Sequence, residues 1–482
     1  MKGDFSRMTF DPKAHFARVL LQQGRVTLDA DVNEQAAILL HYVQTLARDL
    51  FGPHGGPSLD SGFGLVLDTS ESKYRLRLSP GHYYVDGILC ETEGAIDYAD
   101  QADYPRPEGD AQGNGGDPFA TWLKNQQDDD SFWVYLDVWE RHISWIEDDR
   151  IREVALGGPD TSTRSKVVWQ VKAIPWDTGG AEAPSCDDPL STLPPISDAM
   201  LAVRLDPGLQ MTDPCVLPPD AKYRGAENQL YRVEIHMGGA VGDDPQPTFK
   251  WSRDNGSVAT RWLGTEGDDL VVANARRFGA LDWVEVSDDV LDLNGLPGTL
   301  VKLANVEGDR LTVDPATVDD SSALAWTEER SNPKLRRWDQ RASEVTALVG
   351  GAVPIAEGTE NSDWIDLEDG LQVRFSPGGT YRTGDYWVIP ARVATGGIEW
   401  PAGPEAFAPP LGIAHHYAPL GFVFGGTEAI QDCRSCAALA PGDCALPVIV
   451  DEVAAFDAPV PERSARRAAP RTAKRTRTPK PK

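Results

Sequence analysis

Phe132–Arg141, FWVYLDVWER, decides how the chain is read. Phe132, Val134, Leu136 and Val138 fall on one side of an extended backbone, and Trp133, Tyr135, Asp137 and Trp139 on the other. A period of two in aromatic and β-branched residues marks a strand. Val167–Ala173 (VVWQVKA) has the same character, and so does Tyr74–Leu78 (YRLRL) upstream. Val85-Asp86-Gly87-Ile88 reads as a hairpin tip, because Asp-Gly accepts the positive φ angles of a primed turn. Downstream, Tyr231–His236 (YRVEIH) and Phe249–Ala259 (FKWSRDNGSVA) continue the pattern, with Asn255-Gly256 as a second hairpin turn. Trp283–Val286 and Gly298–Asp314 read as strand, strand, tight turn, strand; Trp364–Trp400 forms a further β region.

The N-terminal exception is Phe16–Gly52, FARVLLQQGRVTLDADVNEQAAILLHYVQTLARDLFG. Val19–Leu21 and Val26–Leu28 flank Gly24 as if in a tight hairpin. Asp31, three residues before Glu34, suggests a capping box with Asp as the cap. Val32, Ala36, Leu39, Val43, Leu46 and Leu50 then follow at intervals of 4-3-4-3-4 on one helix face, and Gly52-Pro53 stops the helix. Such a stripe either covers a sheet of its own domain or docks on other subunits of an assembly.

The fold class expected is therefore mainly β: a multi-domain chain of small barrels or sandwiches of short antiparallel strands, with one long N-terminal amphipathic helix. Residues 1–52 form the hairpin and helix, a docking element, and 53–175 a first β domain. Residues 176–220 are a Pro/Gly-rich irregular connector, and 221–345 a second β domain, barrel- or sandwich-like. Residues 346–450 are a third β region and 451–482 a disordered basic tail. Gln101–Asp130, polar and acidic, reads as a loop or insertion.

At 482 residues the chain exceeds one ordinary core. It has no run of eighteen apolar residues and no apolar leader, so the expectation is cytoplasmic synthesis without a signal peptide or membrane span. The net charge is −28; Pro461–Lys482 contributes +8, which leaves −36 for the body. An acidic body of that kind disfavours specific nucleic-acid binding.

Motifs that carry chemistry are few. Asp29-x-Asp31-x-Asn33 fails as a calcium loop, with Glu34 where glycine belongs and Leu40 at the twelfth position. Gly62-x-Gly64 lacks the strand-then-helix context of a phosphate cradle. Cys433, Cys436 and Cys444 supply three thiolates, one short of a structural zinc site, the alternative being a partly oxidised loop or free thiols. Glu140, Asp148 and Asp149 near Trp139 and Trp145 outline a glycan-binding or glycoside-cleaving site, in which the tryptophans would stack on sugar rings. Ser252, Asp254 and His236 can be drawn as a triad, but no elbow motif presents the serine. His415-His416 has no metal-spaced partner and is expected to be a satisfied structural pair. No catalytic residue and no cofactor is assigned.

The opening MKGDFSRMTFDPKAHFARVLLQQGRVTLDADVNEQ resembles an uncharacterised bacterial family associated with phage tail-like particles. The resemblance continues through PGHYYVDGILCE, YLDVWERHISWIEDDRIREVALGGPDTSTRSKVVWQVKA, ENQLYRVEIH, FKWSRDNGSVA and GDYWVIPARVATGGIEWP, and omits the basic tail. The opening and the YVDG segment are more loosely similar to N-terminal regions of tailed-phage baseplate and tail-fibre proteins. The resemblance implies a structural, non-enzymatic component of a contractile injection system or phage tail, docked through its N-terminal element. Its partners would be other particle subunits, or further copies of itself, and the particle would be released from the cell. A glycan-binding or polysaccharide-degrading tip protein is the alternative.

Overall fold

The computed structural model describes residues 1–57, 61–69, 74–105, 117–125, 130–156, 160–176, 185–186, 188–193, 196–207, 222–342, 347–400, 403, 405–425 and 429–437. All of them lie in one unit, Met1–Ala438; Cys215, Cys444 and the basic tail lie outside the described residues. The protein is mainly β, and its strands form antiparallel sheets with one parallel edge.

Ser131–Ile143 and Arg164–Trp176 pair antiparallel over thirteen residues each, from Ser131↔Trp176 to Ile143↔Arg164. His416–Phe424 pairs with the other edge of Ser131–Ile143, and Ala429–Asp432 completes four strands. Both faces of this sheet are covered. Phe132, Val134, Leu136 and Val138 join Phe63, Leu76, Tyr83 and Trp122 in one core, while Trp133 and Tyr135 pack with Phe422 and Cys433 on the other side. Burial on both faces explains why the alternation is aromatic against aliphatic rather than apolar against polar. Over the first face lie two smaller sheets, including the hairpin Gly81–Val85/Ile88–Thr92. Its tip has Asp86 at φ 52° and Gly87 at φ 82°, the primed turn that Asp-Gly favours.

A second core lies between a five-stranded sheet and a three-stranded one. The larger runs Val353–Pro354, Thr248–Ser252, Gln229–Met237, Tyr386–Arg392, Gly397–Ile398; the smaller runs Ile365–Asp366, Leu371–Phe375, Leu201–Leu205. Val233, Phe249, Phe375 and Trp387 fill the space between them. Between Ser252 and Val353 the chain builds a closed six-stranded barrel from Ala259–Glu266, Asp269–Val272, Arg310–Val313, Thr299–Glu307, Trp283–Ser287 and Lys334–Trp338. Trp262, Leu270, Val284, Val301 and Leu335 occupy its interior.

Several expectations need correcting. The 346–450 region does not stand apart: its strands divide between the second core and the sheet of Phe132–Arg141, because Ser131–Ile143 needs a partner on its open edge. The connector 176–220 contains a strand, Leu201–Leu205, paired with Leu371–Phe375. Within the expected loop 101–130, Pro118–Asn125 is a helix: Asp117 accepts from the amides of Phe119 (3.0 Å) and Ala120 (3.1 Å), and Phe119, Trp122 and Leu123 are buried at i, i+3, i+4 spacing. Asn255 and Gly256 both have positive φ, yet Thr248–Ser252 and Ala259–Glu266 do not pair. The turn instead hands the chain from the sandwich to the barrel. Buried Asn255 donates from Nδ2 to the Gly3 carbonyl at 2.9 Å.

Residues 16–28 form no strand ladder. Only the turn remains, with Arg25 N donating to Gln22 O at 3.3 Å and Gly24 at φ 71°. Helix α1 spans Asp29–Phe51, about 34 Å at ~1.5 Å per residue. Its cap is Leu28, and Asp31 is the third residue inside, its Oδ2 accepting from Leu28 N at 3.1 Å. Asp31 therefore plays the part expected of Glu34. Glu34 instead accepts a hydrogen bond from the Thr9 hydroxyl. Gly52 at φ 79° ends the helix.

Candidate functional site

The arm 16–28 together with one face of α1 forms an exposed apolar surface. The helix is seated on the body by its opposite side. Ala30 and Ile38 are buried, Phe51 stacks on Tyr84 at 4.6 Å, and the Gln44 carbonyl lies so close to Gly87 that no Cβ would fit there. Arg48 Nε lies 3.3 Å from Asp86 Oδ1, whose other oxygen meets His416 Nδ1 at 2.8 Å. That histidine contact, against partial burial, holds the Asp86 carboxyl below its ordinary range. Ser6 N donates to Asp29 Oδ2 at 2.8 Å and Val19 N to Gln35 Oε1 at 2.9 Å, so the arm is tied at both ends of its course.

Away from the body, the whole stripe faces solvent. Val32 is 59% exposed, Leu39 58%, Val43 62%, Leu46 60% and Leu50 68%, with Ala36 exposed between them. Leu40 and Tyr42 widen the face, and Phe16, Leu20, Leu21, Val26 and Leu28 of the arm extend it. The sequence reading placed Leu20, Leu21, Val26 and Leu28 in a hairpin of the docking element, a ladder that the structure does not form. Their signal was apolar residues in succession with no polar alternation for a sheet to use. Monomeric proteins rarely expose apolar patches beyond a few hundred Å².

The interior holds a second concentration of polar groups, around a cavity of about 400 Å³ between the sheets and the barrel. Glu234 is met by Lys2 (2.8 Å), Arg232 (2.6 Å) and Lys250 (3.4 Å), and Lys250 also pairs with Glu285, which accepts from Trp338 Nε1 at 2.9 Å. Burial works against these charges, but the Lys250 and Lys2 ammonium groups bring Glu285 down to about 2. His236, buried beside Lys250, is pushed down to about 4. Glu147, Asp289 and Asp292 also converge, as in a cation site. Lys334 Nζ fills it, 2.7 Å from Glu147, 3.5 Å from Asp289 and 2.6 Å from Asp292. Burial disfavours that ammonium, yet Asp292 and Glu147 hold it charged. The carboxylates and cations named here pair with one another.

The remaining sequence candidates separate. Trp139 is 5% exposed, packed with Val168 and Leu293 and 4.8 Å from the His415 ring, and borders the interior cavity rather than standing on the outer surface. The half-buried Trp145 carries the guanidinium groups of Arg152 and Arg261 at 5.0 and 5.4 Å from its ring centre. Asp148 pairs with Arg150 (2.8 Å), Asp149 with Arg152 (3.2 Å), and Glu140 accepts from the Ser165 hydroxyl at 2.6 Å. Asp254 pairs with Arg277 and Arg337, while His236 faces Glu285 at 3.8 Å, so no triad assembles with Ser252. His415 bonds Asp137 at 2.7 Å and His416 bonds Asp86, a satisfied pair. Cys433 forms a disulfide with Cys186, 247 residues away, which removes it from any zinc set with Cys436 and Cys444. Cys436 is an exposed thiol and Cys90 a buried one. Among the described residues no helix is long and apolar enough to cross a membrane.

The fold and this face define a β-rich, multi-sheet protein with an unpartnered helical surface. The chain belongs to a family of unknown function, DUF6519, whose model matches residues 1–200 and 192–480. No curated protein and no solved structure matches it.

Proposed function

We propose that this chain is a structural, non-enzymatic assembly subunit of a phage tail-like contractile particle, of the baseplate or fibre kind, mounted through its N-terminal arm and α1. The observation that carries the reading is the exposure of all six stripe residues, Val32 to Leu50, on a helix whose other side is seated on the body. An apolar face of this extent is stabilised only when something covers it. The sequence resemblance supplies the kind of particle, and the mutually satisfied interior charges support a scaffold rather than a catalyst. The glycan-tip alternative draws no support from Trp139 or Trp145 as they are placed.

The test is proteomic. Particles purified from the native cell should contain the chain in fixed ratio to the tube and sheath subunits. Its absence from intact particles overturns the reading. Leu39→Asp with Val43→Asp should abolish incorporation while the isolated body melts at an unchanged temperature.

A further inference from the structure

We infer that the exposed face of α1 is covered by the same helix of a second copy, antiparallel to it about a two-fold axis level with His41. The inference rests on the reading of this surface as an assembly face and names its occupant.

The spacing chooses a helix as the partner. The alternation of four and three repeats every seven residues, the heptad unit with which two helices keep a seam in register as they wind about each other. Ala30 and Ile38 point to the body on the opposite side, so the seam is free along the whole helix. No other described helix exceeds eight residues, so within this chain's repertoire only another α1 matches it in length.

Side-chain size and charge choose the direction. The stripe is symmetric about position 41, so an antiparallel pair sets Val32 against Leu50 of the second copy, Ala36 against Leu46 and Leu39 against Val43. Each layer then joins a smaller residue to a larger one, which fills the seam evenly. A parallel pair stacks Ala36 on Ala36 and leaves a gap. It also gathers Asp29, Asp31 and Glu34 of both copies at one end, where like charges repel. Running the helices oppositely parts those acids and sets the helix dipoles head to tail.

The area suffices. Twelve large apolar side chains of the arm and helix, from Phe16 to Leu50, are between 44% and 84% exposed. Together they expose on the order of 1,000 Å², so a pair that covers the helix face and draws the arm over its flank reaches the ~800 Å² per partner of a stable interface.

The experiment uses the full chain. Sedimentation equilibrium at micromolar concentration should give the mass of two copies, and Leu39→Asp with Val43→Asp should give one copy that still unfolds cooperatively, its melting temperature no longer dependent on concentration. For direction, Ala36→Cys and Leu46→Cys proteins, each carrying Cys436→Ser, are mixed and oxidised. A mixed 36–46 disulfide is expected, absent from the Cys436→Ser control. A single-copy mass, a higher oligomer, or 36–36 cross-linking in preference to 36–46 overturns the inference. A chain that stays single yet needs Leu39 and Val43 to enter particles sinks the pairing and keeps the mount. A two-copy chain missing from particles does the reverse.

Discussion

Asp86 and His236 show what individual residues do here beyond filling space. Asp86 sits at the tip of a hairpin whose φ angle its sequence neighbour Gly87 makes easy, yet its carboxylate joins Arg48 of α1 to His416 of a strand 330 residues later. Replacing it with alanine should loosen the helix from the body, seen as faster amide exchange over residues 40–51 with the barrel unaffected. His236 gives the chain a pH dependence whose sign follows from burial. Burial lowers its folded-state pKa to about 4, whereas the unfolded chain binds the proton near the ordinary histidine value of about 6.5. Between those values the unfolded state takes up a proton that the folded state refuses, so stability falls as pH drops, by about 1.4 kcal/mol per pH unit at most. His236→Gln should flatten the slope of unfolding free energy against pH by about one proton between pH 6 and 4.5. At this scale the sequence was least informative. It identified His415 and His416 as structural, but Trp139 stood out as a sugar platform because burial on the second face of its sheet depends on Leu293, more than 150 residues away. Cys433 likewise pointed to its near neighbours, while its partner came from Cys186.

Elements were more legible, since period and turn chemistry are local. Phe132–Arg141, Val167–Ala173 and the Asp86-Gly87 hairpin follow from alternation and positive φ alone. The arm 16–28 was misread because a turn glycine between apolar runs signals a hairpin whether or not the runs find each other. Here they form no strand. Asn255-Gly256 was misread for the same reason: local chemistry specifies the bend and not the pairing. The contact between α1 and the hairpin tip is tight enough to test. A Cβ at Gly87 would overlap the Gln44 carbonyl, and the residue also has φ 82°. Gly87→Ala should therefore cost about 1–3 kcal/mol in chemical denaturation and speed proteolysis within the arm. Leu39→Asp, on the side of the same helix turned away from the body, should change the stability of the single-copy chain, measured at a dilution where no pairing occurs, by less than about 0.5 kcal/mol. That contrast separates seating the helix from covering it.

For the molecule as a whole, composition correctly indicated a β-rich chain too large for one core, but a linear list of domains could not express how the sheets interleave. The disulfide Cys186–Cys433 is one of the ties across that interleaving. Cys186→Ser, or reduction of the native protein, should lower unfolding free energy by about 2–5 kcal/mol, read as a drop in denaturant midpoint. A more lasting consequence comes from strand His416–Phe424, which completes the sheet begun at Ser131. A ribosome working at ~5–20 residues per second makes Ser131–Ile143 roughly a quarter of a minute to a minute before that partner emerges. Throughout that interval the edge Ser131–Val138 waits open, inviting the same edge on a neighbouring nascent chain. Production of this protein is thus a race between translation and self-adhesion, and slower elongation or denser polysomes should send more of it to chaperones.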